Sequence, residues 1–298
     1  MTKTWLGVAE KGSLFGIRFF FVACTVFGRG VARFCLKPVV LYYVLFHGKT
    51  RRASCDYLRR VTGKATFWMA FRHMLTFAEI SIDRVFFLQG RFSQMRVASN
   101  GFEQMRKLQV EKRGAILLGA HLGSFEAMHV LAAHKNVRVN ILTYRGNSRM
   151  MNSVLGAINP DLNARFIEIN PGEVNTILRV KELIEAGEMV AVMGDRADLD
   201  TNLASVKFFG EQAYFPTSLY LLSAAMACPI LLTVSLYRTP NHYDLYCEPF
   251  AEKVSLPRED RKAALAAYAQ QYASRLEHYC RMAPYSWLNF YDFWSARS

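Results

Sequence analysis

The sequence predicts an α/β fold with a largely parallel central sheet flanked by helices. From about residue 95 onward, short β-rich runs alternate with helical stretches, which is the order that builds parallel sheets. The predicted strands are Ile116–Gly119, Val137–Tyr144, Arg165–Ile169, Met189–Gly194, Ile230–Tyr237 and His242–Glu248. The predicted helices are Ser124–His134, Ser148–Ile158, Val174–Ala186, Pro216–Met226 and Asp260–Arg281.

The first 90 residues have a different texture from the rest. Residues 50–90 have a helical pattern, and the residues before them hold apolar runs flanked by cations. We therefore predict an N-terminal helical region over residues 1–90 and an α/β domain over residues 91–298, together forming one structural unit. With 298 residues, of which 52% are hydrophobic and 20% charged, the chain can build a sizeable core and lacks the composition typical of disordered proteins.

The positive charge of the chain is concentrated at its start. The formal net charge is +13, and residues 1–64 hold twelve Lys and Arg against two acidic residues, which leaves +10 in the first fifth of the chain. These cations alternate with large apolar side chains, a pattern typical of a segment that docks on a membrane surface containing anionic lipids. An ordinary helix with a solvated basic face is the alternative.

The apolar runs of this region are short for a transmembrane span. A span needs about 20 apolar residues, whereas the run Phe19–Phe27 is interrupted by Gly28, Arg29 and Gly30, and the second run, Val39–Phe46, is shorter still. No cleavage pattern of a signal peptide follows these runs. We expect a peripheral or monotopic association, with a single tilted span as the alternative.

Several functional classes lack their sequence signatures. The six cysteines show no C-x-x-C spacing, so they indicate free thiols in a reducing compartment. His129 and His134 are five residues apart and no H-E-x-x-H occurs, so no metal site is predicted. The serine-hydrolase, Walker and dinucleotide glycine patterns are missing, as are nucleic-acid-binding modules. We therefore expect no metal, no cofactor and no nucleic-acid partner.

The segment Ala115–Glu126 holds the strongest candidate for a catalytic site. An apolar strand leads into His121, a turn through Gly123 and Ser124 follows, and a helix then contains Glu126. Ligands bind at the carboxyl ends of strands in open α/β sheets. If the turn brings the two side chains together, Glu126 can orient the His121 imidazole, which then takes a proton from a substrate hydroxyl. The spacing alone is weak, since a lone histidine is more often structural.

Several blocks of the chain, in order, resemble the lipid A biosynthesis (late) acyltransferase branch of the lysophospholipid acyltransferase superfamily. The segment GAHLGSFE is similar to the H-x-x-x-x-D/E motif of that superfamily. The other similar blocks are Trp5–Gly16, Met193–Arg196, Val206–Pro216 and the aromatic tail Pro284–Trp294.

The chain departs from that branch in two places. The branch commonly has an acidic pair with Gln where this chain has Gly194, Asp195 and Arg196, which leaves the acceptor open. The branch also usually has a glycine near position 218, where this chain has Thr217 and Ser218. Because glycine permits close approach of the backbone, this loop is expected to hold a different group or a different shape.

The resemblance implies roles for individual residues. It implies that His121 is the general base and Glu126 its orienting partner. Asp195 and Arg196 would follow a strand at the same edge of the sheet and bind substrate, the guanidinium of Arg196 facing a phosphate or thioester oxygen. A structural ion pair is the alternative role for Arg196.

The resemblance implies further substrate contacts for Arg145, Phe209 and Gly210. A structural role is the alternative for Arg145. The aromatic side chains around Phe209 would line an acyl channel or pack in the core. The aromatic cluster that includes Trp287 and Trp294 would lie at the membrane interface or pack in the core.

The implied reaction moves a fatty acyl group from a thioester of acyl carrier protein or coenzyme A to a hydroxyl of a lipid or glycolipid acceptor. The thioester is a co-substrate, so no cofactor is needed. Aminoacyl transfer to a lipid on the same scaffold, or a lipid-binding relative without catalysis, are the alternatives. The expected location is the cytoplasmic face of a bacterial inner membrane. The acceptor and the acyl chain length are left open.

Overall fold

The protein is described here by a computed structural model. It covers residues 14–91, 93, 95–144, 165–169, 174–196 and 202–294, without the side chains of residues 14–27, 144, 168, 169 and 174. The predicted helix over residues 148–158, like Arg145, lies outside these residues. The helices are α1 (Leu14–Phe46), α2 (Gly48–Thr62), α3 (Phe67–Leu88), α4 (Glu103–Val110), α5 (Phe125–His134), α6 (Val174–Glu185), α7 (Ser218–Met226) and α8 (Arg261–Met282).

A seven-stranded sheet forms the centre of the fold. Its strands are β1 (Arg96–Asn100), β2 (Ala115–Gly119), β3 (Val139–Tyr144), β4 (Phe166–Ile169), β5 (Met189–Met193), β8 (Ile230–Arg238) and β9 (His242–Ala251). Their order is β1-β9-β8-β2-β5-β3-β4, and all neighbours are parallel except β8 and β9. The predicted α/β class with a largely parallel sheet is confirmed.

The central strand β2 is buried on both faces, as its unbroken apolar sequence requires. Because successive side chains of a strand point to opposite faces, Ile116 and Leu118 join the core on one side, and Ala115 and Leu117 join the core on the other. The first core includes side chains of α2, α6, α7 and α8, and the second includes those of α3, α4 and α5. The sheet is thereby covered by helices on both sides.

A short hairpin, β6 (Leu203–Phe208) and β7 (Glu211–Pro216), lies outside the main sheet. Its two-residue turn is Phe209 and Gly210, with φ angles of 52° and 81°. Such turns match the twist of the strands but require positive φ at both positions, which Gly210 adopts freely and Phe209 adopts at a cost. The Phe209 N–H donates to the carboxylate of Glu277 in α8, so the hairpin is fixed to the body of the fold.

Buried ion pairs join α1 to α3. Arg29 lies 2.5 Å from the carboxylate of Asp83, and Arg33 lies 2.5 Å from Glu79. The hydroxyl of Tyr243 also donates to Asp83, at 2.7 Å. Two of the cations that the sequence assigned to a basic membrane-docking segment therefore neutralise buried acids, and the charge left for lipid head groups is smaller than +10.

The second half of α1 and the first half of α3 expose large apolar side chains. The set, called the outer apolar surface below, consists of Val31, Phe34, Val39, Leu41, Tyr42, Leu45, Phe46, Trp68 and Phe77. Lys37 lies next to Phe34, and Lys49 and Arg52 are also exposed. Within the described residues, no single helix has the length and apolarity to cross a bilayer; the bent pair Gly28–Phe46 and Gly48–Thr62 meets that test by length and composition only.

Candidate functional site

The loop that holds His121 follows directly from the strand that precedes it. β2 ends at Gly119, and Ser124 caps α5 by accepting a hydrogen bond from the Ala127 N–H at 3.2 Å. Between them, Gly123 has a φ angle of +69°, and a Cβ at this position would overlap the backbone oxygen of Ser235. Only glycine fits there, so the sharp turn that presents His121 at the carboxyl end of the sheet is specified locally.

Asp195 reaches the same edge from the neighbouring strand. β5 pairs in parallel with β2, with Gly119 opposite Met193, so the residues after both strands lie side by side. The Gly194 N–H donates to the Gly119 carbonyl at 3.0 Å and continues this pairing past the end of β5. The sequence-based expectation that Asp195 follows a strand at the edge holding His121 is met.

The carboxylate of Asp195 binds His121 through two hydrogen bonds. The His121 Nδ1 lies 2.7 Å from Oδ1 of Asp195, and the backbone N–H of His121 donates to Oδ2 at 2.9 Å. Asp195 is 2% exposed, whereas the His121 side chain is 32% exposed. The buried carboxylate therefore holds Nδ1 as a donor, and the proton-accepting nitrogen of the neutral ring is Nε2.

The electrostatics of the pair favour a neutral imidazole beside an ionised carboxylate. Burial lowers the pKa of His121; the charge and hydrogen bond of Asp195 raise it, and the charges of Arg196 and Arg84 lower it, leaving a pKa below the ordinary value. Burial alone would raise the pKa of Asp195, but His121, Arg196 and the Trp287 indole lower it to about 2. The ring is thus ready to accept a proton at neutral pH.

Glu126, the expected partner of His121, forms an ion pair with Arg84 instead. Its Oε1 lies 2.5 Å from Nε of Arg84 in α3, and its Oε2 accepts a hydrogen bond from Ser124 Oγ at 3.3 Å. The orienting bond to the His121 Nδ1 that we expected from Glu126 comes from Asp195. The physical reason is the helix start at Ser124, which places Glu126 in the first turn of α5, facing α3.

The remaining predicted site residues have different settings. Arg196 is partly buried directly after Asp195, and its charge acts on both His121 and Asp195. Phe209 and Gly210 form the hairpin turn, where the Phe209 ring contacts Tyr57 and a guanidinium of α8. The Phe209 ring is therefore packed against neighbouring side chains, and Gly210 completes the turn. The structure does not describe Arg145.

Trp287 and Arg84 are site residues that sequence reasoning missed. Trp287 is 1% exposed, and its Nε1 donates to Oδ2 of Asp195 at 2.9 Å. The sequence placed it only within an aromatic cluster, and nothing in its local pattern pointed to Asp195. Arg84 is one of two arginines in the mainly apolar helix α3, and nothing in the local pattern pointed to Glu126 or His121.

Sequence comparison finds similarity between this chain and known proteins. The sequence model of the family described as "Bacterial lipid A biosynthesis acyltransferase" matches residues 65–295 of the chain. A segment of 134 residues is 23% identical to the Vi polysaccharide export protein VexE of Salmonella typhi. That segment covers 45% of this chain and 19% of VexE, so the match spans about a fifth of that protein's length.

Proposed function

The chain belongs to the bacterial lipid A biosynthesis acyltransferase family, and from that premise we propose that it transfers a fatty acyl group from a thioester to a hydroxyl of a lipid or glycolipid acceptor. The observation that carries the proposal is the contact of His121 with Asp195 at the carboxyl end of the sheet. It leaves Nε2 of a partly exposed, neutral imidazole as the proton acceptor.

The chemistry needs one base and no enzyme nucleophile. Nε2 of His121 takes the proton from the acceptor hydroxyl as its oxygen attacks the thioester carbonyl carbon. The tetrahedral intermediate then expels the thiolate, which receives that proton from the imidazolium. One C–O bond forms, one C–S bond breaks, and His121 ends neutral again. The Asp195 carboxylate stabilises the imidazolium that exists between the two steps.

In this proposal Glu126 acts on Arg84. A carboxylate held by Ser124 Oγ and paired with a guanidinium fixes where that guanidinium lies. Arg84 keeps 29% of its side chain exposed, and its charge reaches His121. Together with Arg196 it provides positive charge beside the imidazole, suited to the oxyanion of the intermediate or to a phosphate of either substrate. Glu126 would then contribute to substrate binding and to charge stabilisation.

We further propose that the protein works on the cytoplasmic face of a bacterial inner membrane, bound through the outer apolar surface. Large apolar side chains that would otherwise face water, with Lys37, Lys49 and Arg52 nearby, suit the interface of a bilayer that contains anionic lipids. This places the long-chain substrates next to the protein without extraction into water.

The donor is proposed to be an acyl carrier protein, because the net charge of +13 favours a strongly acidic partner. Coenzyme A thioesters are the alternative. Steering of this kind raises the association rate and weakens with ionic strength. The kcat/KM for the carrier-protein thioester should therefore fall between low and high salt, and more steeply than for the coenzyme A thioester. Equal salt dependence of the two donors would count against the carrier protein.

The test of the proposed function uses the purified full-length protein in vesicles with acceptor lipids. Thioesters of fatty acids and of amino acids on acyl carrier protein, and fatty acyl-coenzyme A, are supplied in parallel. The expected result is an O-acylated lipid from a fatty acyl donor, detected by mass spectrometry and lost in His121→Ala. Product from aminoacyl donors alone would replace the proposal with aminoacyl transfer. Lipid binding with no product from any donor would favour the non-catalytic alternative.

A further inference from the structure

The C-terminal segment Ser286–Leu288 runs alongside the loop that holds His121. The Gly123 N–H donates to the Ser286 carbonyl at 2.8 Å, and the Leu288 N–H donates to the His121 carbonyl at 2.7 Å. Leu122 and Trp287 lie between these bonds as an isolated antiparallel bridge. The catalytic loop is therefore bonded along one side to a segment more than 160 residues later in the chain.

The side chain of Trp287 completes the set of donors around Asp195. Oδ1 of Asp195 faces Nδ1 of His121, while Oδ2 accepts from both the His121 N–H and the Trp287 indole Nε1. An ionised carboxylate that accepts from three fixed donors has one preferred orientation. If a donor is removed, a buried carboxylate loses more free energy than an exposed one, because water cannot replace the missing hydrogen bond. The indole thus restrains the rotation of Asp195 about its terminal bond.

Trp287 is also held through its backbone carbonyl and through its ring. Nε2 of His73 lies 2.7 Å from the Trp287 carbonyl, and Nδ1 of His73 lies 2.9 Å from Ser54 Oγ. Burial lowers the pKa of His73 to about 4, so the ring is neutral, donates through Nε2 and accepts from Ser54. The rings of Tyr57 and Phe208 contact the indole edge to face, at centroid distances of 4.9 and 5.5 Å.

We propose that Trp287 is a positioning residue of the transfer reaction, which acts through Asp195 to set the orientation and the basicity of His121. The proposal rests on the proposed role of His121 as the base. It differs from a packing role, because packing needs the ring of Trp287 but not its N–H. The distinction can be made with a variant that keeps an aromatic ring and deletes the donor.

Loss of the indole donor should have two consequences. Asp195 becomes free to rotate, so the imidazole is less often in its productive orientation and kcat falls. The same carboxylate, no longer sharing its charge with the indole, becomes a stronger acceptor for the His121 Nδ1 proton, so the pKa of His121 rises. Removal of a hydrogen bond to a charged group should lower kcat on the order of 10-fold or more.

The experiment compares Trp287→Phe with the matched variant Trp294→Phe in the full-length protein. Trp294 is in contact with Trp287, and its Nε1 donates to the Phe208 carbonyl at 3.3 Å, not to Asp195. Both variants remove one indole N–H from the same aromatic cluster. For each, kcat is measured with the donor thioester, and the His121 imidazole is titrated by NMR, its signals being assigned by their absence in His121→Ala.

The expected result is a lower kcat and a raised pKa of His121 in Trp287→Phe, with both close to wild type in Trp294→Phe. An unshifted His121 titration in folded Trp287→Phe would overturn the proposal, as would equal shifts in the two variants. If Trp287→Phe does not fold, β-(3-benzothienyl)alanine placed at Trp287 keeps the shape of the ring system, replaces N–H by sulfur and gives the same two outcomes.

The titration also separates this proposal from the proposed function. It needs no substrate, so a shifted pKa of His121 in a protein that transfers no acyl group would leave the link from Trp287 through Asp195 standing. In that case acyl transfer alone would have failed. If acyl transfer depends on His121 but is unchanged in Trp287→Phe, the proposed function would stand and the positioning role of Trp287 would fail.

Discussion

Glu126, five residues after His121, is ion-paired with Arg84 of α3 at 2.5 Å. The carboxylate in contact with the His121 imidazole belongs to Asp195, which is 74 residues further along the chain. In the proposed mechanism, the H-x-x-x-x-E segment thus supplies the general base, His121, and a carboxylate, Glu126, that holds the neighbouring guanidinium of Arg84. These separate roles can be tested, because substitutions of Glu126 and of Asp195 should have different effects on the kinetics.

The pair of Arg84 and Glu126 should behave as one unit. Arg84→Gln and Glu126→Gln should each lower kcat/KM, and the double variant should lose little more than either single variant, because each substitution already breaks the pair. A coupling of roughly 0.5–3 kcal/mol is typical of residues in contact. The measurement is a double-mutant cycle in kcat/KM.

The control for this cycle combines Glu126→Gln with Asp195→Asn. If the two carboxylates have separate partners, their effects on kcat/KM should multiply. If Glu126 instead assists His121 directly, its loss would be strongly non-additive with that of Asp195 and additive with that of Arg84. That outcome would restore the role expected from the spacing.

Asp195→Asn should reduce kcat by about 10²–10⁴-fold, the range over which a positioned base contributes. An amide has nearly the same shape as the carboxylate but cannot stabilise the imidazolium, and its NH₂ group competes with the donors His121 N–H and Trp287 Nε1. Kinetics with a saturating donor, together with thermal unfolding, provide the check. A folded Asp195→Asn protein within a few-fold of wild-type kcat would contradict this role.

The sequence predicted most of the sheet because its strands are local patterns. β2 and β5 are unbroken apolar runs and β8 is mainly apolar, and the predicted bounds of all three differ from the observed ones by one residue at most at each end. β1 was missed because it is a mostly exposed edge strand without apolar alternation. The hairpin of β6 and β7 was missed because its turn uses Phe209 at positive φ, where glycine or asparagine is the usual signal.

The site was predictable only as far as its local geometry extends. The strand, turn and capped helix around His121 are encoded within ten residues, and the sequence placed them correctly. The partner of His121 was not predicted correctly, because its contact with Asp195 depends on β5 lying beside β2. The contact of Trp287 with Asp195 depends on the return of the chain after α8. Neither the order of strands nor the path of the C-terminal segment has a signature in the local pattern.

The outer apolar surface gives a sharper membrane test than truncation. Removing residues 1–46 should release the protein from membranes, but it would also leave Asp83 and Glu79 buried without Arg29 and Arg33, at a cost of several kcal/mol. Exposed side chains avoid this problem. Phe34→Ser, Phe46→Ser and Trp68→Ser should each weaken vesicle binding by roughly tenfold, corresponding to about 1.4 kcal/mol of lost apolar burial per site.

The matched control is Val110→Ser, since Val110 is 77% exposed but belongs to α4. It should leave binding unchanged in co-sedimentation with vesicles that contain anionic lipid. High salt or carbonate should extract much of the wild-type protein if it docks peripherally. Resistance to both treatments, with no effect of the three surface substitutions, would favour a span.

His121→Ala should nearly abolish acyl transfer while leaving the fold and vesicle binding intact. The general base contributes ~10²–10⁴-fold, so the loss in kcat should be at least that large after background thioester hydrolysis is subtracted. Transfer within a few-fold of wild type by a folded His121→Ala protein would mean that another group accepts the proton.

The pH dependence of the wild type tests whether His121 is a neutral base. Its pKa is lowered by burial and by the charges of Arg196 and Arg84 more than it is raised by Asp195. The base form should therefore persist to lower pH than for an ordinary histidine, and kcat/KM should rise with pH along a limb whose midpoint lies below 6.5. If kcat/KM is measured between pH 5 and 9, Arg84→Gln should move this limb to higher pH, because removal of a nearby positive charge makes the imidazole easier to protonate. A wild-type midpoint above the ordinary histidine pKa would show that the Asp195 carboxylate outweighs burial. A limb that does not move in Arg84→Gln would show that the guanidinium lies too far from His121 to stabilise charge on the reacting atoms.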